Sequence, residues 1–174
     1  MIEIEKTFLV RNLPGDLKKV NPTEITDIYF PANVRHPTLR LRKSGSTCEL
    51  TKKTPVDKKD ASRQRETSVS LSPKEWLSLA SAKPGRQLRK FRYRYPCNQE
   101  IWEIDVFADR LNGLVLADIE IDSGSKNWEE IKIPEFCLAE VTQAEFIAGG
   151  MLAGKYYRDI AKKLEKYKYN PIFI

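Results

Sequence analysis

The chain has 174 residues, 41% of them hydrophobic, and carries 30 Lys and Arg against 24 Asp and Glu. This is enough for one sizeable core, and no stretch is long and apolar enough to span a bilayer, so the expectation is a single domain over 1–174 with no membrane partner. The formal charge of +6 fits a nucleic acid, a phosphate-rich ligand or nothing specific. Cys48, Cys97 and Cys137 lack metal-ligand spacing and read as reduced structural thiols. With no signal or transit segment before the first strand pattern, the expected location is cytoplasmic.

Met1–Val10 alternates as a strand, with Ile2, Ile4, Phe8 and Val10 on one face and Glu3, Glu5 and Thr7 on the other. A break at Arg11–Asp16 is followed by a short helix. Strands are expected at Thr26–Phe30, Thr38–Arg42 and Cys48–Lys53, the last two joined by a turn at Ser44-Gly45-Ser46. The polar stretch Thr54–Ser62 reads as a mobile loop before a strand at Arg65–Leu71. Ser72-Pro73-Lys74-Glu75 opens a helix that should bury Trp76, Leu77 and Leu79. Further strands are expected at Gln87–Tyr95, Ile101–Phe107 and Leu114–Ile121, with a turn at Asn112-Gly113. Helical pieces follow at Trp128–Ile131 and Gln143–Leu152. Tyr156–Tyr169 reads as a basic helix with an apolar tail, Ile172–Ile174.

About eight strands with short connections form an antiparallel sheet large enough to curl or close. Each strand has one apolar and one charged face, and the charges come in like pairs. Glu3/Glu5, Glu103/Asp105 and Asp118/Glu120 are acidic; Arg40/Arg42 and Lys90/Arg92/Arg94 are basic. A solvated face would mix its residues. At an effective dielectric of about 20, like charges ~4 Å apart repel by ~4 kcal/mol unless they bind something jointly. Acidic walls suit hard divalent cations and basic walls suit phosphates, so a closed barrel with a charged interior would take a polyphosphate with its metals. His36, the only histidine, precedes a proline and reads as a loop residue. Lys52, Lys53, Lys58 and Lys59 form a basic cluster of which only Lys53 is assigned a role. The basic terminal helix reads as a cover on the barrel, with RNA contact the less favoured account.

In order and spacing these residues resemble the CYTH superfamily, the triphosphate tunnel metalloenzymes, over essentially the whole chain. That family holds inorganic and thiamine triphosphatases, class IV adenylyl cyclases and fungal-type RNA triphosphatases. Glu3-Ile4-Glu5 is similar to its opening Glu-x-Glu-x-Lys, Arg40-Leu41-Arg42 to its Arg-x-Arg strand and Thr51-Lys52-Lys53 to its Thr-x-Lys strand. Ser62–Ser68, Lys90–Tyr93, Glu103–Phe107, Asp118-Ile119-Glu120 and Glu140-Val141-Thr142 match later motifs. The resemblance implies a mainly β fold of the α+β type. Its closed antiparallel eight-stranded barrel would form a charged tunnel, flanked by short helices and a C-terminal helix. It implies metal-assisted triphosphate hydrolysis with Glu5, Arg42 and Glu120 as catalytic residues. Arg40, Arg42, Lys53, Lys90 and Arg92 would bind phosphate, and Glu3, Glu5, Glu66, Asp118 and Glu120 would hold Mg2+ or Mn2+. Glu103 and Asp105 would order the basic walls through ion pairs or help hold metal. The substrate would be inorganic tripolyphosphate or a nucleoside or thiamine triphosphate, with a homodimer suggested by the apolar tail.

Three departures stand out. Thr7 replaces the motif lysine, Ser68 stands where relatives carry a second glutamate, and Gln143–Gly150 lacks the basic residues of the family's floor helix. They favour, as an alternative, a catalytically weakened triphosphate- or polyphosphate-binding module; an adenylyl cyclase of class IV type is the other alternative the resemblance leaves open.

Overall fold

The computed structural model describes residues 2–57, 59–82, 85–121 and 128–174; Met1 and Lys58 lie outside them. Its nine strands are β1 (Ile2–Val10), β2 (Thr23–Phe30), β3 (Leu39–Ser44), β4 (Thr47–Asp57), β5 (Asp60–Leu71), β6 (Arg86–Cys97), β7 (Glu100–Phe107), β8 (Val115–Ile121) and β9 (Cys137–Glu140). They run β5-β4-β3-β2-β6-β7-β8-β1, and β1 pairs again with β5, so eight antiparallel strands close into a barrel. The seam is uneven. One edge of β1 pairs with β8 along Ile4–Leu9, while the other meets β5 only through Ile2–Ile4 and β9 through Phe8–Val10.

Alternation sends one side chain set outward and one into the lumen. Outward, Phe8, Val10, Trp102, Ile104, Val115, Ala117 and Ile119 form a buried cluster completed by Leu17, Ile131 and Phe136 from the connecting turns. Inward, an apolar layer of Leu9, Tyr29, Leu88, Phe107 and Leu116 occupies one end of the barrel. Phe146, Ile147 and Leu152 pack onto that layer from a 3-10 turn (Glu145–Ile147) and the short helix α2 (Gly149–Leu152), and Ile160 and Leu164 cover it from α3 (Tyr157–Glu165). The charged residues occupy the lumen beyond this plug.

Several elements differ from the sequence reading. Thr54–Ser62 is mostly strand. β4 pairs with β3 only as far as Lys52, so Pro55 lies on a stretch bonded to β5 alone, where its missing N–H costs no ladder bond. The helix α1 (Pro73–Ala82) begins as expected, with the Ser72 N–H and hydroxyl donating to Glu75 at 2.8 Å, but it buries nothing. Leu77 is 61% and Leu79 42% exposed, and Trp76 is only half-buried. Residues about 100° apart around a helix cannot all face one sheet, and only Trp76 and Ala80 turn inward in part. The Gln143–Leu152 helix is broken. A Cβ on Gly149 would collide with the Tyr29 hydroxyl, so this segment crosses Tyr29 at glycine and bends there. β9, four residues long, was not foreseen. The tail docks within the chain: Ile172 bridges Gly113, and the Tyr169 hydroxyl donates to the Gly113 carbonyl at 2.8 Å. Among the described residues no helix is long and apolar enough to cross a membrane.

Candidate active site

The lumen is built from hydrogen-bonded neighbours on successive strands. Asp27 on β2 stands directly across from Arg42 on β3, and Arg42 Nε and Nη2 donate to its two oxygens at 2.7 and 2.8 Å. On β6 and β7, Arg92 Nε and Nη2 donate to Asp105 at 2.7 and 2.6 Å, and Arg92 also contacts Glu103. Lys90 is ion-paired to Asp105 as well. Glu103 and Asp105 are thus ion-paired to the basic wall. On the third wall Lys53 is held by Glu3 from β1 and, at 2.9 Å, by Glu66 from β5. Ser68 donates to Glu66 at 3.1 Å and lies 2.9 Å from the buried Thr51 hydroxyl.

Two buried atoms in this lumen have no hydrogen-bond partner among the described residues. Arg40 Nε is one, the nearest carboxylate to this side chain being Glu49 at 3.7 Å; Asp118 Oδ1 is the other. Asp118 Oδ2 is 3.4 Å from Arg92 Nη2. Burial, then repulsion from Asp105, raises the Asp118 pKa from its ordinary value despite Arg92 and Lys90. Glu5 is pushed up to about 8, first by burial, then by Asp118 and Glu3, with Lys53 opposing. Arg92 and Lys90 hold Asp105 well below the ordinary range against its burial. The lumen therefore separates into cation–carboxylate pairs that are already satisfied and a carboxylate group around Glu5 and Asp118 whose burial and mutual repulsion Lys53, Lys90 and Arg92 offset only in part.

Thr7 faces Asp118 across the β1–β8 ladder, where its hydroxyl favours the ionised carboxylate. Its neighbour Lys6 points the other way, to Glu140 at 3.0 Å and over the Trp128 ring, so it does not replace the missing lysine. Glu120 lies opposite Glu5 in the ladder but is exposed. His36 is exposed and bonded to Glu145, away from the charged lumen. No three His, Cys, Asp or Glu side chains among the described residues are gathered closely enough to form a ready metal site.

A model of the CYTH domain matches residues 1–136. The chain belongs to the CYTH domain family. β9, α2 and α3 lie beyond the matched residues. An inorganic triphosphatase of Nitrosomonas europaea is 33% identical over 123 residues, which is 69% of this chain and 76% of that protein. The crystal structure of an inorganic triphosphatase is similar with a TM-score of 0.62 over 88% of this chain and 95% of that one, at 24% identity. A protein from Pyrococcus horikoshii gives 0.50 over 71% and 80%, at 21% identity. These two structural likenesses speak for the CYTH fold.

Asp27 is the site residue that sequence reasoning missed. A signal was present: an acid among Ile25, Ile28 and Tyr29 on one strand is headed for burial and needs a cation. Arg42 lay one hairpin away. Surface grooves of about 400 and 240 Å3 lie between Glu140–Phe146 and the end of α3, and none of the anticipated site residues lines them.

Proposed function

We propose that this CYTH protein hydrolyses a small triphosphate, inorganic tripolyphosphate foremost, within the charged lumen and with a divalent metal. The observation that carries the reading is the lumen itself, where Arg42, Lys53, Lys90 and Arg92 share a chamber with the Glu5–Asp118 carboxylates. The named activity of the Nitrosomonas europaea relative supports it.

Phosphoryl transfer asks little covalent chemistry of a protein, so positioning and charge neutralisation carry it. Arg40, Arg42, Lys53, Lys90 and Arg92 would grip the phosphates, and Arg42, assigned to catalysis, would do so in ground and transition states alike. The orphan oxygen of Asp118 and the elevated Glu5 are what a set of hard oxygen ligands shows when it lacks its cation. Glu3, Glu5, Asp118 and Glu120, with Glu66, would hold Mg2+ or Mn2+. When bound, such a cation neutralises phosphate charge and lowers the pKa of an attacking water. Glu5 and Glu120 are assigned to catalysis in this supporting sense. The three free cysteines agree with a cytoplasmic setting. Phe173 and Ile174, both exposed, would supply a homodimer contact.

One observation favours a binding module with little turnover: Thr7 leaves the Asp118 side of the lumen without the family's ammonium, and Lys6 is committed to Glu140. Phosphate release from tripolyphosphate, ATP and thiamine triphosphate with Mg2+ or Mn2+ tests the reading. Tripolyphosphate is expected to be the fastest. Cyclic AMP formed from ATP would point to a cyclase, and tight binding without release to the module.

A further inference from the structure

Arg42 and Arg92 are each held by a carboxylate fork, yet they are left with different free edges. A guanidinium has five N–H donors in a rigid plane. Asp27 takes Nε and one Nη2 hydrogen of Arg42, at 2.7 and 2.8 Å, and leaves the Nη1–Nη2 edge for a second partner. Among the described residues no other carboxylate pairs with Arg42. The equivalent edge of Arg92 is taken, since Nη1 donates to Glu103 and Nη2 lies 3.4 Å from Asp118. Of these two, Arg42 is thus the guanidinium that can meet two phosphate oxygens without first giving up a partner.

The orientation of that edge depends on Asp27. It is 1% exposed, stands opposite Arg42 in the β2–β3 ladder, and lies close enough to Arg40 and Lys90 to attract both. It is the buried anion about which the β2–β3–β6 side of the lumen is arranged.

We infer that Asp27 is a positioning residue which turns the free edge of Arg42 toward the phosphates and so sets the affinity of the lumen for triphosphate. The inference rests on the reading of the lumen as a triphosphate site. It is tested by calorimetric binding of tripolyphosphate in EDTA, and by turnover with Mg2+, for the full chain and its Asp27→Glu, Asp27→Asn, Arg42→Ala and Asp27→Glu/Arg42→Ala variants. Glutamate keeps the charge but moves the carboxylate by about 1.5 Å. Both Asp27 variants should melt cooperatively and bind about tenfold more weakly. KM should rise with kcat changed less than about threefold, because the contact is made in ground and transition states alike. On the Arg42→Ala background, Asp27→Glu should add less than about twofold. Binding like that of the unmodified chain, a full second loss on that background, or loss of the cooperative melt in both Asp27 variants would overturn the proposal. Binding without hydrolysis by the unmodified chain, with the same variant pattern, would uphold it and remove the hydrolytic reading. No binding by the unmodified chain, or no effect of Arg42→Ala, would remove both.

Discussion

At the scale of single residues, the lumen carboxylates fall into two electrostatic classes with opposite responses to change. Asp105 is buried between Arg92 and Lys90, and removing one member of a buried ion pair typically costs about 3–5 kcal/mol. Asp105→Ala should therefore lower the unfolding free energy by about that amount in urea titrations. Glu5 behaves in the opposite way. Its carboxyl keeps a proton up to about pH 8 in the fold against an ordinary value of 4.5. Across that window the folded state holds a proton that the unfolded state has released. Metal-free stability should fall as pH rises from 4.5 toward 8 and then level off. Melting in EDTA at pH 5 and pH 8 checks this, and Glu5→Gln should flatten the difference; a stability that climbs over the interval contradicts it. Thr7 sits beside the same carboxylates, so Thr7→Lys should supply the absent cation, tighten phosphate binding and raise turnover. Unchanged kinetics in that variant would make the departure from the family motif neutral.

At the scale of elements, period-2 alternation made the strands readable and thin packing misled. The faces of β1, β6, β7 and β8 follow directly from alternating charged and apolar residues, because each of these strands has one side against an apolar cluster and one against the lumen. The α1 reading failed because apolar spacing does not say whether anything lies against the helix. Leu77→Ser should accordingly change stability by less than about 0.5 kcal/mol, whereas Leu164→Ala, under the plug, should cost about 2–5 kcal/mol. β9 and the β4–β5 extension were invisible for a different reason. Their pairing is set by the barrel seam and not by their own sequence. At that seam Gln143 accepts from the Ala61 N–H at 3.0 Å and donates to Asp60 at 3.1 Å. Gln143→Ala should speed amide exchange at Ala61 while leaving β6 and β7 protected; an unchanged Ala61 rate would mean the clasp contributes nothing to closure.

At the scale of the whole molecule, the sequence carried the charged walls but not their closure, which came from family resemblance and is seen in the β1–β5 pairing. It carried the cations of the lumen but not Asp27, the partner of Arg42, since a lone acid on a strand has no repeating pattern to reveal it. A net charge of +6 is a weak guide by comparison; the paired walls concentrate both signs in one chamber. The proposed activity of this chamber is cleavage of a triphosphate with the help of a metal. The most direct test is phosphate release from tripolyphosphate by the full chain with Mg2+, with EDTA, and in the Arg42→Ala and Glu5→Ala variants. The account predicts release that needs Mg2+ and is lost in both variants. Release that persists in EDTA or in both variants, or no release from a folded protein, would contradict it.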